Sequence, residues 1–265
     1  MGTTWSLRFF ADPGFPEARL KRALEARFAD VISIFSTWDD GSFISQLNRL
    51  SDTDTLTPPQ SFLVVWRFAV EIAEASSGTF CPFSVGSWRD ASSVLDGKTT
   101  ISRPQGVVFD LSAIAKGYAV DMMSAEVSQF GIESSLCEIG GEFVGRGLKS
   151  DGQPWWIDLE TPTRSQQKIR VALVNSALAT SGHRYNSSFT PSGFASHVRG
   201  KSDDMDASVS VIAENCMLAD AWATALLAAG ETGVELAESS GLAAIFQSAS
   251  HDVVYSSVAK RLLEN

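Results

Sequence analysis

Apolar positions recur along this chain with two periods, and the switches between them mark out its elements. Trp5, Leu7 and Phe9 alternate with Ser6 and Arg8, the period of a strand with one face covered. Over residues 16–34 the period lengthens. Leu20, Ala23, Leu24, Phe28, Val31 and Ile32 make one helical stripe, with Glu17 in the first turn. A polar turn at 35–42 leads into a short amphipathic helix at 43–50 that begins near Ser42, and a loop at 51–59 follows. Residues 60–76 then predict a helix with Leu63, Val64, Phe68 and Ile72 inside. Residues 77–83 read as irregular and 90–104 as a surface excursion. Residues 106–109 read as a short buried strand. Beyond it Ala119, Val120, Met122, Met123, Val127 and Phe130 recur at helical spacing until Gly131 supplies a stop. Residues 135–139 and 142–146, joined by Gly140-Gly141, predict a hairpin. Strands are expected at 156–160, 169–174, 177–180, 208–213, 242–247 and 253–256. A strongly apolar helix is expected at 217–229 and another helix at 233–239, while 187–207 is polar and fits neither period. Strands and helices mix without regular βα alternation, which favours an α+β fold.

Composition narrows the function classes. Of 265 residues, 44% are hydrophobic, ample for a full core. The formal charge of −10 lacks the basic clusters that nucleic acid requires and suits anionic membrane surfaces poorly. No apolar run reaches the length of a membrane span. Cys81, Cys137 and Cys216 are odd in number and far apart, so they make neither a zinc spacing nor a disulfide framework. They read as buried thiols and mildly favour a reducing compartment. Compartment stays open: cytoplasmic if Met1 is the natural start, exported or periplasmic if a signal segment precedes it.

Two polar elements carry candidate chemistry. The first runs from Asp110 to Asp121, where a strand turns through small residues into a helix N-terminus. Such a turn presents backbone N–H groups and the positive end of a dipole, and suits a phosphate or another anion. Asp110 can accept hydrogen bonds there and Lys116 can pair with a phosphate. The second is Asp220 with Thr224, four apart on an otherwise apolar helix and so on one face of it. A carboxylate and a hydroxyl are both oxygen ligands, and magnesium takes oxygens, one or two carboxylates, waters and phosphates. The spacing is equally met by Asp220 serving the helix dipole and Thr224 bonding back to the backbone.

These segments, in order, resemble the ApbE family of FAD:protein FMN transferases. Met1-Gly2-Thr3-Thr4-Trp5 is similar to the family's opening strand. Phe35-Ser36-Thr37-Trp38, with Ser42 and Leu47-Asn48, is similar to its second block, and Gly78-Thr79-Phe80-Cys81-Pro82 to its third. Residues 110–121 match the fourth, Ile139-Gly140-Gly141-Glu142 resembles the fifth and Ala179-Thr180-Ser181-Gly182 the sixth. Ser196-His197-Val198 resembles the start of the seventh, and Ala219-Asp220-Ala221-Trp222-Ala223-Thr224-Ala225 the eighth. The resemblance implies one domain over 1–265, built of mixed antiparallel sheets with packed helices. It implies that FAD is the substrate, Mg2+ the metal, and a Thr or Ser hydroxyl of a target flavoprotein the acceptor of FMN through a phosphoester, with release of AMP. By position, Asp220, Thr224 and the carbonyl of Ala113 hold the magnesium. Asp110 and Lys116 contact FAD. Met1, Trp38, Thr79, Phe80 and Cys81 line the flavin and adenosine pocket, with Val198 beside them, and His197 is the acid/base. Two positions depart from the family's pattern: Cys81 stands where Asp is usual, and after His197 the chain runs Val198-Arg199-Gly200-Lys201 in place of an Asp-Pro turn. The alternatives are an FAD pyrophosphatase, with water replacing the acceptor hydroxyl, and an FAD-binding protein without catalysis.

Overall fold

The structure is a computed structural model that describes residues 3–51, 53–95, 99–161, 168–182, 187–190, 193–196 and 206–263. In chain order the elements are β1 (Trp5–Phe9), α1 (Glu17–Phe35), α2 (Phe43–Asn48), α3 (Gln60–Ala75), β2 (Phe83–Val85), a 3-10 turn at Trp88–Ser93, β3 (Val108–Phe109) and α4 (Ser112–Gln129). They continue as β4 (Ser135–Ile139), β5 (Glu142–Arg146), β6 (Trp155–Asp158), β7 (Arg170–Leu173), β8 (Ser176–Gly182), β9 (Ser187–Thr190), β10 (Gly193–Ser196) and β11 (Ser208–Ala213). The chain closes with α5 (Cys216–Ala229), α6 (Gly233–Ser239), β12 (Ala243–Gln247), β13 (Val254–Tyr255) and α7 (Ser257–Leu263).

The expected α+β fold is present. Seven strands form one sheet in the order β1-β4-β5-β8-β11-β12-β13, and each pairing is antiparallel. Three two-stranded ribbons accompany it: β2 with β3, β6 with β7, and β9 with β10. The β4–β5 hairpin turns through Gly140 and Gly141 at φ +60° and +95°. Two consecutive positive values are what a tight hairpin turn demands and what side chains with a Cβ resist.

The inner strands of this sheet, β4 to β12, are covered on both faces. On one face Cys137, Ile139, Val144, Ala177, Ala179, Val209 and Val211 join a core with α1, α3, α4 and α5. On the other, Leu136, Leu178, Ala243 and Ile245 meet the β6–β7 ribbon and α7. β8 and α5 approach through alanines, Ala177 and Ala179 facing a helix whose Ala219 and Ala223 are fully buried. Small side chains on both partners shorten the interaxial distance. α5 is apolar on nearly every side, as a helix enclosed by protein should be.

Two expectations are corrected. The described residues of 90–104 are not all a surface excursion, because Ala91, Val94 and Ile101 are buried in the main core and Ile101 bridges Leu56. These apolar residues are few and irregularly spaced among polar ones, so no period announces them. The chain also does not close on a strand, since α7 follows β13 and seals the second face of the sheet through Ala259.

Candidate active site

The entry to α4 is held by backbone mimicry. Asn48, the last residue of α2, donates to the Phe109 carbonyl at 3.0 Å and accepts from the Phe109 N–H at 2.7 Å, acting as an extra strand edge for β3. One residue on, the Asp110 N–H donates to the Pro82 carbonyl at 3.0 Å, and its carboxylate accepts from the Ser112 N–H at 2.9 Å. The Ile114 and Ala115 N–H groups both turn back to the Leu111 carbonyl. Most first-turn donors of α4 are therefore engaged within the chain, which corrects the expectation of an anion cradle built from them. Asp110 spends part of its carboxylate on ordering this turn.

One turn further, α4 meets α5 at Gly117. A Cβ built on Gly117 would lie 2.3 Å from the Cys216 carbonyl oxygen and 2.8 Å from the Asp220 Cβ, so the two helices touch by backbone. The Gly117 N–H donates to Asp220 Oδ2 at 2.8 Å. In an α-helix that N–H is the partner of the carbonyl four residues earlier, which is Ala113. Asp220 thus draws on a donor that would otherwise serve Ala113. Asp121, one turn beyond, closes the contact: its two oxygens accept from the Cys216 and Met217 N–H groups, each at 2.8 Å. Asn215 caps the same helix by accepting from the Leu218 N–H at 2.9 Å. A carboxylate at a helix N-terminus is favoured by the dipole, yet burial still pushes Asp121 up to about 6.

Lys116 is not a surface charge. Its Nζ lies 2.8 Å from Glu142 Oε1, and Glu142 is 1% exposed at the first position of β5. Asp220, 3% exposed, completes the cluster. Burial alone would lower Lys116, but the fields of Asp220 and then Glu142 outweigh it and hold the ammonium above its ordinary value. Burial pushes Glu142 up to about 8, reinforced by Asp220 and opposed by Lys116. Burial likewise pushes Asp220 up to about 6, against Lys116 and the Gly117 N–H. The ammonium stays charged, and the strain falls on the carboxylates. Two of them face one cation in a dry place, so full ionisation leaves a surplus negative charge that a shared proton or an added cation would cancel. Glu142 Oε2 has no hydrogen-bond partner, an uncommon state for a buried carboxylate oxygen.

Thr224 lies on the same face of α5 as Asp220, and its hydroxyl is 3.1 Å from that of buried Ser181 on β8. Neither bland expectation describes what is seen: Asp220 caps nothing on its own helix and reaches α4, and the Thr224 hydroxyl meets Ser181. Trp38 is 95% exposed in the turn before α2, so it is not a core aromatic. The Thr79 hydroxyl is directed to the Ser76 carbonyl at 3.2 Å, and Phe80 is 1% exposed with its ring in the main core. Cys81 is half-buried beside Pro82, the residue that receives the Asp110 N–H. Met1, His197 and Val198 lie outside the described residues. The structure brings together Lys116, Asp220, Thr224 and the helical turn containing Ala113. It adds Glu142, Asp121, Gly117 and Ser181, to which the sequence assigned no role although all four fall within its motifs. An acidic residue opening a buried strand, Glu142 after Gly140-Gly141, was the available signal. Among the described residues, no group of three or more His, Cys, Asp and Glu side chains is placed to hold a metal. A cation here would draw on a hydroxyl, a carbonyl and waters beside its carboxylate.

Comparison with known proteins gives the chain a family. The ApbE family profile matches residues 1–92 and 85–246. A Vibrio cholerae FAD:protein FMN transferase is 28% identical over 90% of this chain and 82% of its own length. Its Haemophilus influenzae counterpart is 28% identical over 92% and 83%. In fold, the chain superposes on the apo flavinyl transferase ApbE of Pseudomonas stutzeri with a TM-score of 0.83 at 24% identity, covering 100% of this chain and 95% of that one. With the family profile spanning nearly its whole length and a solved ApbE structure following its fold from end to end, the chain belongs to the ApbE family.

Proposed function

We propose that this protein is an FAD:protein FMN transferase, which cleaves the pyrophosphate of FAD and joins FMN to a Thr or Ser hydroxyl of a target flavoprotein, releasing AMP. The observation that carries the reading is the convergence of Asp220, Thr224 and the Ala113–Gly117 turn at one backbone contact, in a chain of this family. The oxygens present fit magnesium. They comprise a carboxylate with a raised proton affinity, a hydroxyl, and a carbonyl whose helical partner is drawn to Asp220. Asp220, Thr224 and the Ala113 carbonyl would hold the ion, which supplies neutralisation of the charge that develops on the pyrophosphate oxygens.

The chain's own residues do the rest. Lys116 carries a fixed positive charge beside the same point and is suited to a phosphate oxygen. Trp38 presents a flat, exposed ring on which an isoalloxazine can stack. His197 takes the proton of the acceptor hydroxyl as it attacks phosphorus, a task that fits the ordinary range of an imidazole.

Incubating the protein with FAD, Mg2+ and candidate acceptor proteins should add the mass of FMN less one water to an acceptor, and EDTA should abolish the addition. Release of free FMN and AMP without an acceptor would instead identify a pyrophosphatase. FAD binding with neither product would refute catalysis altogether.

A further inference from the structure

Two carboxylates compete for one ammonium at the α4–α5 contact, and the structure has resolved the competition in one direction. Lys116 Nζ pairs with Glu142 Oε1 at 2.8 Å. Asp220 acts on that ammonium as well, holding it charged alongside Glu142. Asp220 is engaged elsewhere, with Oδ2 on the Gly117 N–H. The two acids also differ in what engages them. Glu142 opens β5, a strand paired on both sides by β4 and β8, and is buried with its Oε2 unpartnered. Lys116 ends a flexible four-carbon stem and can follow whichever carboxylate attracts it more.

We infer that Glu142 is a positioning residue: by fixing the Lys116 ammonium it keeps the Asp220 carboxylate open to a divalent cation. With Oδ2 taken by the Gly117 N–H, a Lys ammonium and a divalent cation compete for the remaining oxygen, Oδ1. Without the Glu142 charge, Lys116 turns to Asp220 and blocks the cation. The inference rests on the magnesium reading above and assigns a role to a residue that reading does not use.

The test uses the full chain without flavin and reads Mn2+ binding by electron paramagnetic resonance, Mn2+ standing in for Mg2+ as an oxygen-seeking ion. Glu142→Gln should weaken Mn2+ binding by about tenfold or more, the range seen when an outer partner of a metal site is removed. The double variant Lys116→Met with Glu142→Gln should recover affinity close to the parent's, because the competing ammonium is gone. Glu142→Asp, which keeps the charge, should retain most of the affinity. If Glu142→Gln fails to fold, Lys116→Met alone decides: it should bind Mn2+ at least as tightly as the parent, and weaker binding overturns the inference. Unchanged affinity in Glu142→Gln overturns it, as does a loss that persists in the double variant, which would make Glu142 a ligand or scaffold. A parent protein that binds no Mn2+, or binds it equally after Asp220→Ala, refutes the magnesium reading itself.

Discussion

The two faces of the seven-stranded sheet are filled by opposite means. The face under the β6–β7 ribbon and α7 is apolar, with Leu136, Leu173, Leu178 and Ile245 packed together. The face under α4 and α5 buries Asp220, Glu142 and much of Lys116 within its hydrophobic core. Burying apolar surface stabilises a fold by roughly 25 cal/mol per Å². Burying charges costs several kcal/mol per ion before pairing offsets it. The first face is thus arranged for stability and the second holds unrelieved electrostatic tension. That division supports the proposed function on the α4–α5 side, since perturbed ionisable groups cluster at functional sites.

The sharpest way to break the comparison is to remove one group from each face. Asp220→Ala should lower FMN transfer by about a thousandfold, the scale seen when a key electrostatic group is deleted from an active site. It should leave the melting temperature close to the parent's, since a buried carboxylate under repulsion goes with it. A large drop in melting temperature with activity retained would assign Asp220 to stability instead. Leu173→Ala should do the reverse. It empties a fully buried position and should cost about 3 kcal/mol in denaturant unfolding, with kcat of the folded enzyme unchanged.

The charged face should also show itself in the pH dependence of stability. The Asp121 value is raised in the folded protein from 3.8 to about 6. The folded state therefore binds that proton more tightly than the unfolded chain, and the stability it brings is full below pH 4 and is lost as pH rises through 6. The loss is about 3 kcal/mol for one group shifted this far. In EDTA, the stability of Asp121→Asn should fall less between pH 4 and pH 7 than that of the parent, by about that amount. Equal slopes would show that the α5 N-terminus already relieves the Asp121 charge. The smallest effect is expected at Trp38. Its replacement by Ala should leave the melting temperature unchanged, because the ring touches little. FAD binding should weaken by about 1 kcal/mol, or roughly fivefold, from lost stacking. Unchanged FAD affinity would remove Trp38 from the flavin site.

Much of this molecule was legible in its sequence, and the reason is locality. α1, α3 and α4 follow apolar positions at helical spacing, and α5 follows a nearly unbroken apolar run. The β4–β5 hairpin follows its Gly-Gly turn, and the cap of α2 follows Ser42, whose hydroxyl accepts from the Ser45 N–H at 3.1 Å. Residues 90–104 and α7 were not legible. Their buried side chains, Ala91, Val94, Ile101 and Ala259, are too few and too irregularly spaced to set a period. Lys116, Asp220 and Thr224 were nominated by motif, while Glu142 and Asp121 stood in those motifs without a task.

The amino-acid sequence by itself determined the α+β class, most elements, and which residues could supply oxygens and a positive charge, because these depend on side-chain type and short-range spacing. The tertiary structure alone decided which groups meet. Gly117 and Asp220 are 103 residues apart in the chain and 2.8 Å apart in space, and a contact of that span arises only when α4 and α5 pack on the same face of the sheet. The pairing of Lys116 with Glu142 rather than Asp220 was decided there as well. Glu142 comes to the ammonium from β5, while the carboxylate of Asp220 is engaged by the Gly117 N–H of α4.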